Sequence, residues 1–132
     1  MCKKRDIILV DEFRSQGRTV SMHPFVVLED EAGQIKGLPF DLICNVFSSF
    51  KSPEQKARKL SYPGNFPITA EQTNVPGGNQ KEGYIKADQL YFFKKEKISY
   101  RVIGEMEKDA FNDLIDFIDG QDFEIEIITD NL

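Results

Sequence analysis

Residues 6–30 read DIILVDEFRSQGRTVSMHPFVVLED. The first eight, DIILVDEF, are rich in branched apolar side chains and too few for a helix, so they predict a buried strand. Residues 14–22, RSQGRTVSM, are polar and predict a loop, with Gly17 as its hinge or turn residue. His23-Pro24 then leads into a second strand, FVVLED. Pro24 lacks an N–H, which predicts that it sits at the start of that strand or on an edge. Two β-favouring runs with a polar break between them set a β reading, which the rest of the chain extends.

Glu31-Ala32-Gly33-Gln34 predicts a turn, and FDLICNVFSSF at 40–50 a third strand. Ser52 is a suitable cap and Pro53 suits a first helical position, so a short helix should run to about Leu60 and carry Lys56, Arg58 and Lys59. Residues 61–83 are dense in Pro, Gly and Asn, with a short strand around 66–70, and NVPGGNQKEG at 74–83 reads as a mobile loop. YIKADQLYFF at 84–93 and SYRVIGEM at 99–106 read as two more strands. Phe111, Leu114, Ile115 and Ile118 recur at i, i+3, i+4 and i+7, which predicts an amphipathic helix over 107–119 ended by Gly120. Phe123, Ile125 and Ile127 alternate with Glu124 and Glu126, which predicts a half-exposed edge strand over 123–128. The sum is a mainly β chain, a small barrel or sandwich with one helix packed on it.

The chain has 132 residues, enough for one domain, and its 11 Phe and 4 Tyr provide bulky core matter that argues against disorder. No apolar stretch approaches the ~18 residues of a membrane span. The four apolar residues after the basic start are too few for a signal peptide, so a cytoplasmic location is expected. Cys2, Cys44 and a single histidine make neither a disulfide framework nor a zinc site. The net charge of −5 is unevenly spread. Residues 101–132 hold ten acids against two bases, a net of −8, which leaves +3 for residues 1–100. A polyanionic partner is therefore compatible with the body of the chain.

Phosphate-binding loops, dinucleotide fingerprints, zinc-protease and serine-hydrolase motifs are all absent. His23 suits a general acid or base, or a solvated capping role. Ser48 and Ser49 end an apolar strand, where hydroxyls bind phosphate or satisfy a turn. Arg14 and Arg18 flank Gly17, and guanidinium groups there suit phosphate contact or simple solvation. Lys51, Lys56, Arg58 and Lys59 either track a nucleic-acid backbone or form a solvated helix face.

Taken in order, DIILVDEF at 6–13, SMHPFVVLED at 21–30, CNVFSSF at 44–50 and GYIKADQLY at 83–91 resemble the MazF/PemK family of toxin ribonucleases. VIGEM at 102–106 and the following helix continue the resemblance, which runs from residue 5 to about 119. It implies a single domain over 1–132 with an SH3-like barrel over about 5–106 and the C-terminal helix over about 107–119; the edge strand read over 123–128 extends past the family's usual end. The resemblance further implies a homodimer that cleaves single-stranded RNA without metal or cofactor, and a cognate antitoxin occupying the RNA groove. His23 then takes the place of the family's catalytic arginine, and Ser48 that of its catalytic threonine. Asp88-Gln89 matches a pair that is structural or lies near the RNA and dimer surface, and Arg14, Arg18, Ser49, Lys51, Lys86 and Gln89 would contact RNA. Arg5 stands where the family has glycine, and the 51–82 segment is longer. A non-catalytic member binding protein or RNA through the same groove, or a gyrase-binding toxin like CcdB, is the alternative function.

Overall fold

The computed structural model describes residues 2–75, 82–120 and 123–132. Strands β1 (Asp6–Ser15) and β2 (Arg18–Glu29) form one long antiparallel hairpin. The loop expected over 14–22 is therefore ladder, with Phe13 opposite Val20, Arg14 opposite Thr19 and Ser15 opposite Arg18. Two residues suffice for the turn. Gln16 and Gly17 both take left-handed conformations, at φ 54° and 80°, and such turns match the natural twist of paired strands. Polarity at 14–22 marks exposed strand rather than loop.

The same device recurs between β3 (Gly33–Ile35) and β4 (Leu38–Phe40), where Lys36 and Gly37 turn at φ 52° and 79°. The turn thus lies later than the expected 31–34. The strand expected over 40–50 is two, β4 and β5 (Leu42–Ser49), parted at Asp41. Helix α1 (Pro53–Leu60) starts as predicted, with the Ser52 hydroxyl accepting the Gln55 N–H at 3.0 Å. Then come β6 (Asn65–Ile68), a 3-10 turn at Ala70–Gln72 and β7 (Thr73–Asn74). Most of the loop expected at 74–83 falls outside the described residues. The strand expected over 84–93 breaks at Ala87-Asp88 into β8 (Gly83–Lys86) and β9 (Gln89–Phe93). After a 3-10 turn at Lys95–Lys97 come β10 (Tyr100–Met106), α2 (Lys108–Gly120) and β11 (Glu126–Ile128). β11 is the predicted edge strand, shortened, and it runs parallel to β9.

The main sheet runs β11-β9-β5-β2-β1-β10-β7, and β6 and β8 join through β8's pairing with β5. The path has two ends, and no closed barrel ladder is found among the described residues. The sheet is nonetheless strongly curled. β1 and β9 are three strands apart, yet the Phe13 and Tyr91 rings meet edge-on at 5.6 Å and the Ser15 and Tyr91 hydroxyls lie 3.0 Å apart. Inside the curl lies one core, centred on Phe25 with Phe13, Tyr91 and Phe93. Burial pushes the Tyr91 phenol up, against the opposing Ser15 bond, and pushes the Cys44 thiol well up, so both stay protonated.

The opposite face is covered by α2, whose Ala110, Phe111 and Leu114 pack on Val26, Ile85 and Met106. Asp109, Asp113, Asp116 and Asp119 are all exposed, so the helix's acids form a solvated face. Glu107 precedes the helix and accepts the N–H groups of Asp109 and Ala110, which hold its carboxyl below the usual range. No described helix is long and apolar enough to cross a membrane.

Pro24 sits inside β2, opposite Leu9 of β1, not at the strand's start but where β2 has a partner on one side only. A residue without an N–H sustains a ladder on one side more easily than on two. The ladder that stops is the one with β5, whose last pair is Phe25 with Val46. Beyond it β2 stays with β1, while Phe47–Ser49 pairs with β8. Gly83 permits that second pairing, since a Cβ there would lie 2.2 Å from the Ser48 carbonyl oxygen. Gly83→Ala should therefore pry β8 from Ser48 and Ser49 and lower stability by about 1–3 kcal/mol in urea denaturation. An unchanged midpoint would refute this reading of the strand contact.

Candidate functional site

The parting of β2 and β5 determines where His23 and Ser48 stand. Their ladder pairs Val27 with Cys44 and Phe25 with Val46. Continued by two residues, it would set His23 opposite Ser48, on the face that carries the Phe25 core. The ladder does not run that far: His23 pairs with Val10 of β1 and Ser48 with Tyr84 of β8, so the two segments have different partners there. His23 is half-buried, its ring edge-on to Phe13 at 6.0 Å. Its Nδ1 lies 3.0 Å from the Ser21 carbonyl oxygen, which can only accept, so Nδ1 is the donor and the lone pair of a neutral ring would lie on Nε2. Among the described residues the Ser48 hydroxyl takes no hydrogen bond. Ser49 follows at the exposed end of β5, and Lys51 begins the approach to α1, its N–H bound to Gln55 Oε1 at 2.6 Å.

The other expected contacts lie elsewhere. Arg14 and Arg18 are exposed residues near the tip of the β1–β2 hairpin, and that tip is clasped by the acidic C-terminal segment. Asn131 accepts the Arg14 N–H at 2.6 Å and donates to the Arg14 carbonyl at 2.9 Å. Asp130 accepts the Gly17 N–H at 3.0 Å. Glu126 takes the side chains of both Gln16 and Gln89, the latter at 3.0 Å. Ile128 anchors the segment in the Phe25 core at 3% exposure. Asn131→Ala should release the clasp and cost about 1–3 kcal/mol, read by denaturation and by faster amide exchange at Arg14. Exchange at Arg14 equal to that of the native chain would overturn the clasp.

Lys86 and Gln89 line an open cleft of about 520 Å³ beside Lys59, Tyr62 and Asp88. The bend between them is held by Asn45, wholly buried, whose Nδ2 donates to the carbonyls of Lys86 at 3.2 Å and Gln89 at 2.8 Å. The basic cluster of α1 is not uniform either, because Lys56 pairs with Glu82 at 3.0 Å. Among the described residues, no three His, Cys, Asp or Glu side chains gather to hold a metal.

The site residues thus fall in separate places: His23 on β2 and Ser48, Ser49 and Lys51 on or just after β5, beyond the point where the two strands part, Arg14 and Arg18 on the clasped hairpin, and Lys86 and Gln89 in the cleft. Asn45, Tyr62, Asp130 and Asn131 escaped sequence reasoning. A lone asparagine inside the apolar run LICNVF was the one visible signal for Asn45; the clasp residues carry none, because their partners lie more than 100 positions away. Compared with known proteins, the chain matches no family model and no curated protein.

Proposed function

We propose that this chain is a MazF/PemK-like endoribonuclease on an SH3-like barrel, a homodimer that cleaves single-stranded RNA without metal and is held in check by a cognate antitoxin. The observation that supports the reading is that β2 and β5 part at Pro24, just past the Phe25–Val46 pair, whose register continued two positions along each strand would align His23 with Ser48. A second support is Arg5. It stands where the resemblance has glycine, and it adopts φ 77°, the left-handed conformation that favours glycine.

In the reaction, His23 Nε2 takes the proton of the ribose 2′-hydroxyl. The 2′-oxygen attacks the adjacent phosphorus and the bond to the 5′-oxygen breaks. The protonated imidazole then returns the proton to that leaving oxygen, so a cyclic phosphate and a free 5′-hydroxyl result. The Ser48 hydroxyl donates to a phosphoryl oxygen, and the Lys51 ammonium offsets the charge that builds there. The test is incubation of the purified full chain with a mixed RNA pool in excess chelator. Fragments ending in cyclic phosphate support the proposal; an intact pool sinks it.

A second reading, non-catalytic binding of protein or RNA through the groove that the resemblance implies, draws on the clasp. Arg14 and Arg18 flank a hairpin tip already held by Asp130 and Asn131. It predicts a stable complex and no cut in any RNA.

A further inference from the structure

We infer that the cleft between the end of α1 and the β8–β9 bend is a subsite for a guanine base. The inference deepens the proposed function, and it rests on that reading for its role, as the site of one base of the RNA strand. The cleft, about 520 Å³, has the size of a small-ligand pocket. Its walls carry Tyr62, Lys59, Lys86, Asp88, Gln89 and Glu124.

Three features select the ligand. Tyr62 is 54% exposed, a large ring left at the rim of a concave site, and an exposed aromatic there is a stacking platform for a base. The cleft also gathers two cations, Lys59 and Lys86, and two carboxylates, Asp88 and Glu124, and none of the four forms an ion pair among the described residues. Bare phosphate would meet the carboxylates and a metal ion would meet the ammonium groups. A nucleotide meets both kinds, with a base edge for one and a phosphate for the other. Guanine presents N1–H and an N2 amino group side by side, which a carboxylate accepts together, and its O6 and N7 accept from lysine. Adenine presents a bare N1 at the same place, facing the carboxylate's own lone pairs.

The third feature is the room made for Asp88. A Cβ on Gly64 would lie 2.5 Å from the Asp88 Cγ, so only glycine lets that carboxylate occupy its present position. The backbone on both sides is fixed, by the Ala87 N–H on the Gly64 carbonyl at 2.9 Å and by the Asn45 amide across the bend.

The experiment titrates the full chain with GMP, AMP, CMP and UMP, read by calorimetry and by heteronuclear NMR. GMP should bind at least about tenfold tighter than AMP. Tyr62→Ala, a surface change, should weaken GMP about tenfold or more by loss of stacking. Asp88→Asn should erase the preference for GMP over AMP, and Gly64→Ala should do the same by displacing Asp88 without changing any charge. Lys56→Ala, already engaged by Glu82, should leave binding unchanged. Equal affinity for GMP and AMP, or GMP binding untouched by Tyr62→Ala, overturns the subsite. RNA cleavage reads the other proposal separately. GMP binding with no cleavage sinks the ribonuclease and keeps the cleft, while His23-dependent cleavage without Tyr62-dependent GMP binding does the reverse.

Discussion

Replacing His23 with alanine should slow metal-free RNA cleavage by about 10²–10⁴-fold, the usual contribution of a positioned acid or base. Binding of uncleavable RNA should change far less, because the phosphate contacts remain. The ring is half-buried and meets Phe13 only by its edge, so the variant should keep its fold, which circular dichroism would check. His23→Arg separates two roles that alanine merges. Arginine keeps a cation beside the phosphate but holds its proton at neutral pH and cannot serve as a base. If His23 works through Nε2 as its bond to Ser21 suggests, the arginine variant should be nearly as slow as alanine. Recovery of the native rate in His23→Arg would show that the position supplies charge alone.

Phe25→Ala should be the most damaging change to the fold. The ring is wholly buried and meets Phe13, Tyr91 and Phe93 edge-on at 4.9, 5.1 and 5.2 Å. It therefore joins β2 to β1 on one side and to β9 across the curl. Losing it should cost about 3–5 kcal/mol, transfer and cavity together. Set against a total stability of about 5–15 kcal/mol, that should lower Tm by roughly 10–25 °C. A change below about 1 kcal/mol would mean that the curl collapses around the gap and that these contacts do not hold the two sides together.

The reading of single elements from sequence succeeded where one signal had one meaning. The α2 stripe of Phe111 and Leu114 has the helical period, and those residues are buried. Ser52-Pro53 starts α1 because a hydroxyl cap and a missing N–H suit the same two positions. The reading failed where polarity was taken for loop. Residues 14–22 are polar yet paired, since one face of a projecting hairpin meets water. Pro24 was expected at a strand start or on an edge, and it lies within β2 where a missing N–H ends one ladder and leaves the other, a local edge.

The candidate site divides along the same line. His23, Ser48 and the lysines are legible as residue types suited to phosphate chemistry, and the mainly β character, the terminal helix and the acidic end follow from composition and period. Each is a property of neighbours within a few positions. Which of these residues meet was decided only by tertiary structure. The partners are far apart in sequence: Phe25 meets Val46 through the register of β2 on β5, and Asn131 reaches Arg14 across 117 positions. Local periodicity carries no record of such pairings, because strand register and chain curl are set by burial of the whole core around Phe25.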